Sequence, residues 1–261
     1  LLDKLLAENA GAELVVADGG STDRSREIVA ERMTLHVGLR LLDNTRRLQS
    51  AGINLAVREF GQQHRWLVRV DAHCLYPDNY VQGLLESATA SGAQSVTVPM
   101  VSQGVTCFQR ASAAAQNSVL GTGGSPHRHV SEGRFVDHGH HALMELEMYC
   151  RVGGYNEALS HNEDAELDTR IRKAGGRIWL EPSCALVYFP RATPGSLSRQ
   201  YFNYGRGRAM TRALHGERLR LRQMLPLAVP LASLLAFLAL LFALVSPLLG
   251  LGAVPLLLWA V

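Results

Sequence analysis

An α/β fold on a parallel, doubly wound sheet is the class this sequence predicts. Three observations carry it. Short apolar runs of strand length alternate with stretches whose apolar residues recur at helical spacing. Two of those runs end directly on an acid, Asp18 after ELVVA and Asp71 after WLVRV. In such sheets ligands bind beyond the carboxyl ends of the strands. The length, 261 residues, suits one large α/β domain or two small ones.

The elements follow in order. Residues 1–8 read as the tail of a helix. Residues 13–17 form a short apolar strand that runs straight into DGGSTD, and 25–32 a helix. Residues 35–42 read as a strand, 49–60 as a helix, and 66–70 as a strand. A helix over 78–91 and a strand over 94–99 come next. Residues 101–141 are less regular: LGTGGSPHRHVSEGRFVDHGHH is rich in Gly and His and reads as a long loop, a kind of segment that is often functional. HNEDAELDTRIRKAGGRIWLEP then reads as a helix followed by a strand at 178–180, with ALVYF as a second strand.

The mouth of that helix admits two readings. Asn162 suits an N-cap, and the acids Glu163 and Asp164 suit the positive end of the helix dipole. Arg170, Arg172 and Lys173 complement the other end, and Gly175 and Gly176 supply a left-handed stop. Yet at roughly 100° per residue Leu167, Ile171 and Ala174 share one stripe, and the two acids straddle it one turn earlier. A surface cap has no need to set carboxylates over an apolar face. Cap and chemistry both stand at this point.

Composition narrows the partners. A net charge of +3 and the lack of a basic, aromatic-studded stripe in the first two-thirds of the chain argue against nucleic acid. Cys74, Cys107, Cys150 and Cys184 are scattered without a CxxC pair. That fits a reducing compartment and small buried hydrophobes better than a disulfide framework or structural zinc. After Pro190 the chain turns basic and aromatic, and from Leu225 it is apolar. Residues 227–246, about 20 without a charge, have the length of a bilayer helix. Arg206, Arg208, Arg212, Arg218, Arg220 and Arg222 precede them, which by the positive-inside rule places the preceding domain in the cytoplasm. Pro247 and Gly250 then mark a break. Three segments are expected: a catalytic domain over 1–198, a basic and aromatic juxtamembrane segment over 199–224, and transmembrane sequence over 225–261. The opening without methionine and the apolar end lead us to expect a piece of a longer protein.

Three acidic clusters stand out: Asp18 with Asp23, Asp71 with His73, and Glu163 with Asp164. An enzyme that uses a nucleotide-sugar needs such groups. One carboxylate accepts hydrogen bonds from the base or ribose, one holds a divalent cation against the diphosphate, and one takes a proton from the attacking hydroxyl.

VVADGGSTDRSREIV resembles the VVDDGSxDxT signature of the family 2 inverting glycosyltransferases, whose fold is GT-A. LDNTRRLQSAGINLAV resembles the segment that follows it, RVDAHCLYPDNYV stands at their DxD, and NEDAELDTRIRKAGGRI resembles their ED helix. QYFNYGRGR stands where many membrane members carry QxxRW, and DAH followed by Tyr-Pro resembles the exopolysaccharide-synthesis branch. The resemblance implies that Asp18, with Gly20, Ser21, Asp23 and Arg47, meets the donor nucleotide. It implies that Asp71 sits by the ribose and a divalent cation, Mn²⁺ or Mg²⁺. His73 replaces the second DxD acid, as a metal ligand suited to Mn²⁺ or as a direct contact to the diphosphate. Asp164 is implied as the general base, with Glu163 orienting or tuning it. Gln200, Tyr204 and Arg206 are implied at the acceptor or diphosphate, although Asn203 and Tyr204 depart from QxxRW.

The family's first strand precedes this sequence, so the piece alone is expected to be inactive. The expected activity is transfer of a hexose, glucose first, from a UDP-sugar to a lipid-linked saccharide at the bacterial inner membrane. The alternatives are a non-catalytic GT-A-like binding module and a processive synthase. His127, His129, His138, His140 and His141 match no usual zinc spacing; they stand where the family's acceptor loop is expected, either contacting sugar or lipid phosphate or serving as plain loop polarity.

Overall fold

The apolar runs form strands, but they pair in three short sheets. The computed structural model describes residues 1–9, 11–122, 132–216 and 231–241. In chain order come α1 (Leu2–Glu8), β1 (Leu14–Asp18), α2 (Ser25–Met33), β2 (Leu39–Asp43), α3 (Gln49–Phe60), β3 (Trp66–Val68) and β4 (Cys74–Leu75). There follow α4 (Tyr80–Ser91), β5 (Ser95–Val98), β6 (Met100–Ser102), α5 (Cys107–Asn117), α6 (Val119–Thr122), β7 (Arg134–Phe135) and β8 (His140–Glu145). The last are α7 (Leu146–Arg151), α8 (Glu163–Lys173), β9 (Ile178–Leu180), β10 (Leu186–Tyr188) and α9 (Pro194–His215).

β1 and β2 pair in parallel. The five-stranded sheet runs β3-β8-β5-β9-β7, and the third sheet runs β4-β10-β6. Parallel pairs (β5 with β9, β10 with β6) sit beside antiparallel ones: β8 with β3 and β5, β7 with β9, and β10 with β4. The parallel sheet expected from sequence is therefore corrected to a mixed one. The physical reason is β8, whose first two residues lie in the stretch expected to be loop and which inserts between β3 and β5. Its sequence HHALME has no β-branched or aromatic hydrophobe, so propensity does not mark it. It is nonetheless buried on both faces, with Ala142 and Leu143 fully enclosed. The expected strand at 35–42 begins only at Leu39, because Leu35 and Val37 lie exposed in the preceding turn.

β8 carries a bulge. Leu143 faces Val96, but His141 faces Thr97, so Ala142 is an extra residue against β5. A regular strand sends neighbouring side chains to opposite faces. The bulge lies just after the two histidines, whose imidazoles both come within 4 Å of Asp164, at 3.8 and 3.6 Å.

Two cores flank the central sheet. Val96, Val98, Ala142 and Leu143 pack with Tyr80, Leu84 and Ala88 of α4 and with Leu186. Met144, Met148, Tyr149, Tyr155, Ile178 and the α8 residues Leu167 and Ile171 form the other. Each such Leu or Ile contributes roughly 1.5–3 kcal/mol by leaving water. Ala174, expected on the same stripe, is exposed. α9 lies along α8: a Cβ at Gly207 would stand 2.3 Å from the His161 carbonyl oxygen, so only glycine permits this approach. Asn162 Nδ2 donates to Thr211 at 2.9 Å, and His215 Nε2 reaches Glu166 at 2.9 Å.

Residues Leu1–His215 form one compact unit and Gly216–Val261 another. Within the second, residues 231–241 are helical. Among the described residues no helix is long and apolar enough to cross a membrane. Residues 227–230 and 242–246 of the expected span lie outside them, as do His127, His129, Arg218, Arg220 and Arg222.

Candidate active site

β1 delivers Asp18 to its carboxyl end, where the DGGSTD turn folds back on it. Asp18 accepts from Gly20 N at 3.0 Å, from Ser21 Oγ at 2.5 Å and from Arg26 Nη1 at 2.7 Å. Ser21 and Arg26 hold its pKa far below the usual carboxylate range. Arg26 also pairs with Asp43 at the end of β2. Arg47, in a left-handed conformation at φ 56°, lays its guanidinium over Gly20, close to where a Cβ there would stand. Asp23 stands at the far end of the same turn. Its carboxylate accepts from Ser25 N at 3.0 Å, at the first residue of α2.

α3 ties this turn to the second cluster. Gly52 lets it close on β1, since a Cβ there would meet Ala17 at 3.1 Å. At its first turn Gln49 Nε2 donates to Asp71 Oδ1. Asn54, farther along, binds Tyr155 in both directions: Nδ2 donates to its carbonyl at 2.9 Å, and Oδ1 accepts from its N–H at 2.9 Å. The asparagine of the GINLA segment is thus a fastener for the loop before α8.

Arg69 is the centre of the site, and sequence reasoning missed it. It is 7% exposed. Nε donates to Asp71 Oδ1 at 3.2 Å, while Nη1 donates to Asp164 Oδ1 at 2.5 Å and to the Tyr155 hydroxyl at 3.1 Å. One guanidinium therefore joins the strand-end acid to the helix-mouth acid. Burial works against both carboxylates, but Arg69 outweighs it and keeps each pKa lowered, that of Asp164 far below the usual range. The signal was present: Arg69 and Asp71 are two apart and share one face of an extended segment.

The mouth of α8 is now decided on geometry. Asn162 occupies the N-cap position at φ 66° but makes no side-chain cap bond. The expected asparagine cap is corrected: its amide is spent on Thr211. Asp164 is not a cap either, because Oδ1 is held by Arg69 and Tyr155. Its Oδ2 faces His140 Nδ1 at 3.8 Å, beyond hydrogen-bond reach. Burial and the adjacent Asp164 raise the pKa of Glu163 to about 7. Gly175, at φ 85°, does end the helix, with Gly176 N donating to Ile171 O at 2.9 Å.

Two of the histidines expected in a loop are corrected as well. His140 and His141 belong to β8 and face the acids. His140 stands 3.7 Å from Asp71 Oδ2, and burial lowers its pKa to about 4. His141 is fully buried between Tyr155 and Asp168.

Asp71, His73 and Cys74 set one ligand atom each within 4.8 Å of one another. The carboxylate and imidazole fit a divalent cation of the Mn²⁺ kind better than Mg²⁺. Cys74 fits less well, because burial pushes its thiol up to about 11 and keeps it protonated. On the other flank a cavity of about 580 Å³ opens beside α9, lined among others by His161, Arg191, Arg199, Gln200 and Tyr204. Gln200 Nε2 donates to the hydroxyls of Tyr188 at 3.0 Å and Tyr204 at 2.9 Å. Arg206 is exposed and does not line this cavity; Arg191 and Arg199 supply its positive charge.

Solved structures share the architecture. GalNAc-T7 with UDP, GalNAc and Mn²⁺ superposes at a TM-score of 0.54, with 17% identity over 78% of this chain and 43% of that one. TarS 1-349 of S. aureus in complex with UDP-GlcNAc gives 0.50, with 14% identity over 74% and 54%. The fold is that of a GT-A glycosyltransferase. Residues 1–149 match glycosyl transferase family 2, and the chain belongs to that family. It is 53% identical over 218 residues to the succinoglycan biosynthesis protein ExoA of Rhizobium meliloti, matching 84% of this chain and 66% of that protein's length.

Proposed function

We propose that the full-length protein is an inverting glycosyltransferase of cell-surface polysaccharide synthesis. It moves a hexose, glucose first, from a UDP-sugar to a lipid-linked saccharide at the cytoplasmic face of a bacterial inner membrane. The observation that carries this reading is the Arg69 bridge, which sets Asp164 of α8 beside Asp71 at the strand end. Asp164 Oδ2 takes the proton of the acceptor hydroxyl as its oxygen bonds to the anomeric carbon. The bond from that carbon to the diphosphate breaks in line, and UDP leaves with the electron pair. One displacement inverts the centre. Asp164 is held ionised by Arg69 and so is ready to accept. Asp18 and Arg47 receive the uridine, and Asp71 with His73 would hold a divalent cation that neutralises the leaving diphosphate. The cavity with Arg191, Arg199, Gln200 and Tyr204 receives the phosphate of the acceptor's lipid carrier. The helix over 231–241, with Leu231, Leu234, Leu235, Phe237 and Leu241 all exposed, supports membrane attachment.

Asp164→Asn is expected to lower kcat by roughly a thousandfold or more while UDP still binds. Wild-type turnover in that variant would remove the base. A screen of UDP-, GDP- and dTDP-sugars by thermal shift assigns the donor. One observation favours a non-catalytic binding module instead: His73 stands where the family's DxD carries its second acid. Donor hydrolysis by the full-length protein excludes that reading.

A further inference from the structure

Beneath Asp164 lies a polar pair that this mechanism does not use. His141 and Asp168 are both 0% exposed. His141 Nε2 is 2.7 Å from Asp168 Oδ1, and its Nδ1 is 2.7 Å from the Tyr155 hydroxyl. That hydroxyl reaches Asp164 Oδ1 at 3.2 Å and accepts from Arg69 Nη1 at 3.1 Å. Asp168 Oδ2 accepts from Gly139 N at 3.2 Å. An unbroken chain therefore runs Asp168, His141, Tyr155, Asp164.

Such burial is not explained by stability. Apolar side chains of similar volume fill a site of this kind as well or better. The hydrogen-bond inventory gives the chain a direction. A tyrosine hydroxyl donates once and accepts twice. Burial alone would push the His141 pKa down, but Asp168 and Asp164 reverse this and raise it. A doubly protonated ring donates at both nitrogens, to Asp168 and to Tyr155. With Arg69 as its second donor, the Tyr155 oxygen is full, and its own proton goes to Asp164 Oδ1.

We propose that His141 and Asp168 are positioning residues: through Tyr155 they lock Oδ1 of Asp164 and leave Oδ2 turned to the acceptor hydroxyl. This rests on the reading of Asp164 as base. Without the lock the carboxylate turns about its terminal torsion and the reacting oxygen leaves its line. A misplacement of about 1 Å costs on the order of 100-fold in rate.

The test compares full-length wild type with Asp168→Asn, Tyr155→Phe and the double variant His141→Leu/Asp168→Leu. UDP release from UDP-glucose gives kcat and KM, and each protein's Tm is recorded. Expected is a fall in kcat of about 10- to 100-fold with KM within about twofold. The double variant keeps the wild-type Tm but not the rate. A double variant that turns over at the wild-type kcat overturns the relay. Asp164→Asn, run in parallel, separates the failures. If it keeps the wild-type rate, the base fails and the relay with it; if it is dead beside a fully active Asp168→Asn, the relay alone fails. A second readout needs no turnover. In protein labelled with nitrogen-15 histidine, one imidazole is expected to hold both ring protons near neutral pH, and Asp168→Asn to abolish that signal. A neutral His141 ring overturns the proposal whatever the kinetics show.

Discussion

At the scale of single residues, Glu163 and Arg69 make opposite predictions. The Glu163 carboxyl rises from an ordinary 4.5 to about 7, so the folded state binds more protons than the unfolded one between those values. Its contribution to stability is complete below about pH 4.5 and is lost as pH climbs through about 7. Glu163→Gln should therefore raise Tm relative to wild type at pH 8 and leave it unchanged at pH 4. A Tm difference that ignores pH would contradict the raised pKa. Arg69 is the reverse case, a buried cation whose loss strands Asp71 and Asp164. Arg69→Met should cost about 3–5 kcal/mol, read as a lower urea midpoint. Part of this site was legible in the sequence. The acids at strand ends were visible because they directly follow apolar runs, whereas the two at the mouth of α8 could as well have been dipole partners until the family motifs were aligned. Arg69, Tyr155 and Asp168 were not picked out, since their meaning lies in partners as far as 95 positions away, as with Arg69 and Asp164.

At the scale of elements, the seam between α8 and α9 depends on the absence of one side chain. Gly207→Ala sets a methyl 2.3 Å from a backbone oxygen, which cannot yield as a flexible side chain does. The expected cost is about 1–3 kcal/mol, with loss of the Asn162–Thr211 bond, measurable as faster amide exchange at the start of α8. Unchanged exchange and Tm would mean that α9 shifts freely. The helices α3 and α8 and the strand β9 were legible to within a residue or two, because period and punctuation agreed there. β8 was not. A strand buried on both faces shows no alternation, and this one lacks the branched and aromatic residues that would have replaced that signal.

At the scale of the whole molecule, donor binding is linked to stability. UDP with Mn²⁺ should raise Tm, and EDTA should cancel most of that rise. His73→Asp, which restores an all-oxygen pair with Asp71, should move the preference from Mn²⁺ towards Mg²⁺. Equal shifts with both ions in wild type and variant would remove His73 from the cation site. The sheet itself holds a last consequence. Because Ala142 is one residue more than β5 has room to pair, the register of β8 slips between Val96 and Thr97. Deleting that residue would restore an even beat to the strand at the cost of one fully enclosed methyl group, and the spacing between the histidines and the core residues that follow them would shorten by one. A single codon therefore sets how far those two rings stand from the layer beneath them.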